Sequence, residues 1–238
     1  MPRSCLAVLF SVFALLASTL APAQTPWRWT GSTQDGYFLN LNTVSKITCI
    51  KLPDGMTLEQ FGALAEAGRP PVVRNWSGTG TVIARNRVLT AAHVLDGATA
   101  CLFQNKLLRT VYLDNRLDAA VAVADLGDTP VTPVNCDGLV AGTEYLGVGY
   151  AHGRDFAVQR FSFGGSYANQ TLKGGGRAVH QGVMGGEAHP GMSGGPVVNG
   201  AGEVVAVINT GGPDRAGVRD LTETPLCAAL QWRTPAPR

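Results

Sequence analysis

Three short stretches of this 238-residue chain carry residue types that together suit acyl transfer. In HPGMSGGPVVN (189–199) a single serine, Ser193, sits among glycines and prolines just ahead of an apolar run. Glycine lets main-chain N–H groups stand clear of side chains, so a serine in such a turn has donors ready for a developing negative charge. Taken alone, that serine reads first as a turn residue. A serine nucleophile also needs a base for its proton and a group that orients the base. LTAAHVL (89–95) places His93 directly after an apolar strand, beside two alanines small enough for the chain to fold back closely. RLDAAVAVADL (116–126) places Asp118 at the head of a strongly apolar strand. Asp114 and Asp125 are the rival carboxylates, and Asp118 is preferred because the apolar strand follows it at once. His152, His180 and His189 read as surface or loop residues.

The elements that must position these residues are short strands. Thirty glycines, 14 prolines and only 15% charged residues fit many strands joined by turns. From residue 72 onward, strands are expected in GTGTVIA and RVLT around a turn at Arg85–Arg87, and in KLLRTVYLD, AAVAVADL and TEYLGVGYA. A hairpin is expected from DFAVQRFSFGGS and GRAVHQGVMG across Gly174–Gly176. A second joins Val197–Val198 to Val204–Ile208 through the Asn199–Gly202 turn. Thr224 before Pro225 marks the start of a short C-terminal helix, PLCAALQW. Ahead of these strands, TLEQFGALAEAG carries a capping box, with Thr57 as cap, Gln60 reaching back, and Leu58, Phe61 and Ala65 on one face. Gly68 and Pro70–Pro71 end that helix.

The first residues are of a different kind. Arg3, the apolar LAVLFSVFALLASTL and the closing Ala-Pro-Ala read as a secretory signal peptide cut after Ala23. The apolar stretch is short for a bilayer span. A secreted or periplasmic protein follows, with no membrane attachment once the signal is removed. With Cys5 lost in the signal, Cys49, Cys101, Cys136 and Cys227 remain, an even number that suggests two disulfides in one of three pairings. Their spacing is too wide for a zinc site, so no metal is expected. The net charge of +2, without a basic stripe, does not suggest nucleic-acid binding.

TAAHV, LDAAVAV and GMSGGPVV resemble the three active-site motifs of the chymotrypsin-like (trypsin superfamily) serine proteases. HPGMSGGPVVNGAGEVVAVINT is more similar still to the bacterial HtrA-type branch, over the protease domain alone and with no PDZ domain expected. The resemblance runs from Val72 to Leu230 and implies an all-β fold. It has two antiparallel six-stranded β-barrels and a short C-terminal helix, with the catalytic residues in the cleft between the barrels. The implied organisation is a signal peptide (1–23), an N-terminal extension or pro-segment (24–70), a protease domain (71–230) and a tail (231–238).

The family roles fall residue by residue. Ser193 is the nucleophile, His93 the general base and then acid, and Asp118 the orienting group. The N–H groups of Gly191 and Ser193 form the oxyanion hole. Asn209 matches a position that supports the aspartate, and Asn209, Thr210 and Gly211 match the edge that pairs with substrate backbone. Ile208 would supply an apolar wall of the primary pocket, favouring small or medium aliphatic residues. Glu187, counted back from Ser193 without gaps, reaches the pocket base, where an acid would favour Lys or Arg. Met192 stands where the digestive enzymes have the aspartate that pairs with a freed amino terminus, so that activation switch is absent in its usual form. The family packs its C-terminal helix back towards the first barrel, which would join Cys227 to Cys49 and leave Cys101 with Cys136. The function implied is a secreted serine endopeptidase without metal or organic cofactor, acting on protein or peptide substrates. The alternative is a catalytically inactive binding protein on the same fold.

Overall fold

The computed structural model describes residues 40–171 and 178–231. The expected signal peptide, the first part of the extension, the Gly174–Gly176 turn and the tail beyond residue 231 lie outside these residues. The strands form two antiparallel sheets. The first contains β1 (Val44–Lys51), β2 (Arg74–Ala84), β3 (Arg87–Thr90), β4 (Ala100–Phe103), β5 (Lys106–Leu107), β6 (Arg109–Asp114) and β7 (Ala119–Val123). Its order is β5-β4-β1-β2-β3-β7-β6. The second contains β8 (Thr143–Ala151), β9 (Asp155–Thr171), β10 (Ala178–Gly185), β11 (Pro196–Val198), β12 (Val204–Gly211) and β13 (Arg215–Asp220). It closes into a barrel in the order β10-β13-β12-β11-β8-β9. The two-barrel β fold is therefore present, with one correction to the strand count. The first half has seven strands, and among the described residues it does not close into a ring as the second does.

Local sequence explains the turns. Asn86, at φ 59°, joins β2 to β3, and Gln104 and Asn105, at φ 48° and 59°, join β4 to β5. Two successive positive φ values match the right-handed twist of a tight hairpin. The strands on either side of the undescribed 172–177 segment pair antiparallel, with Ala178 opposite Thr171. Helix α1 (Leu58–Glu66) carries both halves of the capping box: Gln60 N–H donates to the Thr57 hydroxyl, and Thr57 N–H to Gln60 Oε1. Helices α2 (Ala92–Leu95) and α3 (Pro225–Gln231) are shorter. Among the described residues no helix is long and apolar enough to cross a membrane.

The boundary expected after residue 70 lies between two strands that pair in one sheet. β1 lies inside the first sheet, paired with β2 on one side and β4 on the other. Phe61 and Ala65 of α1 pack on Ile50, Leu52 and Ala100. β1 is thus a strand of the first sheet, and α1 is packed against it. Val44, Ile47, Cys49 and Ile50 are buried without a strict alternation, as in a strand covered by neighbours.

The cysteine pairing is also corrected. Cys49 is bonded to Cys101 and Cys136 to Cys227. Cys49 and Cys101 stand directly opposite in the β1–β4 ladder, which brings them together without any contribution from the C-terminal helix. α3 reaches the segment between the sheets instead, at Cys136.

Candidate active site

Asp118 opens β7 after a tight turn. Asp114 accepts N–H groups from Arg116 (2.7 Å) and Leu117 (3.1 Å), so this rival carboxylate builds the turn. Partial burial pushes its carboxyl up, but those two bonds and the Arg116 guanidinium hold it below the ordinary aspartate range. Asp125, the other rival, is exposed. Asp118 is fully buried at φ 51°, a conformation non-glycine residues seldom adopt. Its Oδ1 accepts the His93 backbone N–H at 2.9 Å. Its Oδ2 lies 2.8 Å from His93 Nδ1, with Oδ1 at 3.0 Å.

The amide of Asn209, on β12, donates to Asp118 Oδ2 (2.7 Å) and to Asp118 O (3.0 Å). The carboxylate only accepts, so the network places a proton on His93 Nδ1 and leaves Nε2 as acceptor. The His93 side chain is 35% exposed, open on the side away from Asp118.

Ser193 lies on the turn ahead of β11. Gly191, at φ 92°, fits where a Cβ would stand 2.5 Å from Tyr150 O and 2.6 Å from Gly153 N. Gly194, at φ 85°, passes close to Thr79 O and Thr90 Oγ1, 2.2 and 2.0 Å from where its Cβ would be. These two positions require glycine for conformation and for space together. Gly194 N–H donates to Ile208 O and Gly195 N–H to Met192 O. Among the described residues the N–H groups of Gly191 and Ser193 have no hydrogen-bond partner. That hydroxyl donates to Asn209 O at 3.3 Å rather than to His93.

The structure brings His93, Asp118 and Asn209 into direct contact and puts Ser193 against Asn209. Thr210 is turned away from this cluster, its hydroxyl between Gln170 (2.7 Å) and Gln181 (3.0 Å). Gly211 faces Ala188, whose N–H donates to Gly212 O. Ile208 is packed in the second-barrel core with Met184, Met192 and Val218. Glu187 is exposed and pairs with His189 Nδ1 at 3.5 Å. His189 and His152 rings lie 5.2 Å apart, and His180 stacks on Tyr167 at 5.5 Å. Among the described residues no group of three or more His, Cys, Asp or Glu could hold a metal ion.

Two contributors were missed in the sequence. Arg219, on β13 and buried, donates its Nε–H to Leu117 O at 2.6 Å, and Nη1 to Glu223. The charged pair Arg219–Asp220 between apolar Val218 and Leu221 was its signal. Thr79, on β2, reaches the Ser193 turn across the boundary between the sheets. Nothing in the local GTG sequence announces that reach.

No curated protein matches the chain. Among solved structures, the Rv3671c protease from M. tuberculosis in its active form is 20% identical, with 83% of this chain and 83% of that one covered and a TM-score of 0.58. The HtrA-type protease AlgW with decapeptide is 18% identical, with 80% of this chain and 63% of that one covered and a TM-score of 0.56. The serine endoprotease from Yersinia pestis is 16% identical, with 88% and 67% covered and a TM-score of 0.55. At these identities the likeness is one of fold. The family model for the trypsin-like peptidase domain matches residues 78–207, more than half of the chain and the stretch that holds His93, Asp118 and Ser193. The chain belongs to the trypsin-like peptidase family.

Proposed function

We propose that the protein is an exported serine endopeptidase that cleaves protein or peptide chains through an acyl-enzyme at Ser193. The observation that carries this reading is the buried Asp118 carboxylate, which holds the His93 tautomer with Nε2 free and shares Asn209 with Ser193, on whose turn the Gly191 and Ser193 N–H groups are unpaired among the described residues. A substrate N–H pairing with Asn209 O would take the acceptor that Ser193 now uses. The hydroxyl then turns to His93 Nε2 and gives up its proton as Oγ bonds the scissile carbonyl carbon. The oxyanion is met by the Gly191 and Ser193 N–H groups, and Asp118 stabilises the imidazolium. His93 returns the proton to the leaving amine. Water then repeats the sequence in reverse and frees Ser193. Each step balances without a cofactor.

The segment Asn209–Gly211 lies at the edge where a substrate strand would add. The aliphatic preference remains the proposed one. Glu187 is turned to solvent and to His189, which weakens its claim on the pocket base. Labelling by a fluorophosphonate, combined with cleavage of denatured casein, tests the reading. Both are expected for the wild type and neither for Ser193→Ala. A wild type that folds but neither labels nor cleaves would favour an inactive binding protein instead. Digestion of a peptide library would read the preference, and cuts mainly after Lys or Arg would overturn the aliphatic assignment.

A further inference from the structure

Met192 sits inside the turn that presents Ser193, yet it is uncharged and fully buried in the second-barrel core. No ion pair of its side chain can hold that turn, and Gly191 gives it a backbone with little intrinsic preference. The holding contacts come from two places. His152 N–H donates to Pro190 O at 2.5 Å and fixes the peptide plane before Gly191. The plane after Gly191 is fixed by Thr79, whose Oγ1 lies 2.8 Å from Gly191 O and 3.0 Å from Tyr150 N. Tyr150 N–H can only donate and the Gly191 carbonyl can only accept. The single hydroxyl proton is therefore assigned: Thr79 accepts from Tyr150 and donates to Gly191. Its own N–H donates to Ser193 O at 2.8 Å. One fully buried residue of the first sheet thus grips the carbonyls of both residues whose N–H groups would meet the oxyanion.

We propose that Thr79 is the positioning residue of the oxyanion turn, its hydroxyl relaying the Tyr150 N–H to the Gly191 carbonyl so that the Gly191 N–H stays aimed at the substrate. Without the hydroxyl, the Gly191 carbonyl loses the only donor it has among the described residues. The plane after the glycine is then free to rotate, the plane that carries the Gly191 N–H is left to the His152–Pro190 bond alone, and that donor is misaimed for part of the time. This inference rests on the proposed serine chemistry.

The test compares Thr79→Val, which keeps the shape and the backbone N–H, with Thr79→Ser, which keeps the hydroxyl. Pre-steady-state acylation by p-nitrophenyl acetate separates the rate of acylation from binding. Loss of one oxyanion donor costs up to about 100- to 1000-fold, so a loosened donor should slow Thr79→Val acylation by roughly 10- to 100-fold. Ester binding should stay unchanged, and Thr79→Ser should acylate within about threefold of wild type. A folded Thr79→Val that acylates at the wild-type rate would overturn the proposal. So would Ser and Val variants that are slowed equally, since the effect would then follow any change in packing rather than loss of the hydroxyl. If Thr79→Val does not fold, Thr79→Cys, with similar volume and a weak donor, should give an intermediate rate, and a wild-type rate there would overturn the proposal. Acylation of Ser193→Ala at the wild-type rate would overturn the serine reading itself, so the two failures are distinct.

Discussion

Arg219 Nε donates to the Leu117 carbonyl at 2.6 Å, so the residue just before Asp118 is gripped by the opposite sheet. Together with the Asn209 amide on Asp118 O, this fixes two successive carbonyls and supports the left-handed backbone of Asp118. Arg219→Gln removes the grip and leaves Glu223 without its buried partner. Because Glu223 is about a third exposed, the loss should fall below the roughly 3–5 kcal/mol of a fully buried pair. The expected result is a lower denaturation midpoint and a kcat reduced roughly 10- to 100-fold, because small displacements of a catalytic group are costly. A variant of full kcat would show that Asp118 holds its place without Arg219.

Asp118→Asn should leave the geometry nearly intact while presenting an N–H where His93 Nδ1–H now donates. The imidazole would then favour the wrong tautomer, and kcat should fall by about four orders of magnitude. In the wild type, acidification that protonates His93 Nε2 removes the base, so activity should decline on the acid side. Burst kinetics with an activated ester across a pH series check both outcomes. An Asp118→Asn chain with ordinary turnover would remove Asp118 from the site.

The sequence made His93, Asp118, Ser193 and most strands legible because each signal is local. The apolar strand after Asp118, the glycines around Ser193 and the Val-rich hairpin β11–β12 all act within a few residues. Asn209 was found through resemblance, and its contact with Asp118 spans 91 positions. What was not legible depends on contacts distant in the chain. β1 lacks a strict polar–apolar alternation because both its ladders are covered, so it looked like part of an extension. The cysteine pairing follows from the β1–β4 register, which no local pattern encodes. Thr79 owes its role to the approach of Gly149, where a Cβ would stand 3.0 Å from its hydroxyl and 2.9 Å from Met192 Cα.

The two disulfides should contribute separately to stability. They span 52 and 91 positions. Chain-entropy arguments put each at about 4 kcal/mol before native strain is subtracted. Replacing Cys136 and Cys227 with serine should lower the denaturation midpoint, while fluorophosphonate labelling persists at low temperature because both cysteines lie away from Ser193. Non-reducing peptide mapping should return Cys49 with Cys101 and Cys136 with Cys227. A Cys49–Cys227 peptide would contradict the structure.

Tyr167 gives a signature at alkaline pH. Burial, with the neighbouring Asp220 carboxylate, pushes its phenol up to about 12, and its hydroxyl donates to Asp220 at 3.1 Å. An unfolded tyrosine ionises near 10. The folded state therefore holds this proton more tightly, and the associated stability is complete below about pH 10 and lost as pH rises towards 12. Thermal midpoints between pH 9 and 12 should fall less steeply for Tyr167→Phe than for wild type. Equal slopes would mean that the phenol ionises alike in both states.

The amino-terminal boundary offers the sharpest test of the domain itself. β1 hydrogen-bonds to β2 and β4 and supplies Cys49 to the disulfide with Cys101. Its Lys46 Nζ also donates to Gly153 O at 3.0 Å, in the turn whose His152 N–H holds Pro190. A chain starting at Val73 would expose the edges of β2 and β4 and the apolar face beneath α1, so it should fail to fold. A chain starting at Asn40 should fold and label with fluorophosphonate. Because Met192 offers no partner to an ammonium group, acetylating the amino terminus of the longer chain should leave the labelling rate unchanged. If the chain from Val73 labelled normally, β1 would be dispensable and the segment before residue 71 would be an extension after all. If acetylation silenced the longer chain, another acid would have to bind the freed amine, and the turn around Gly191 would depend on it.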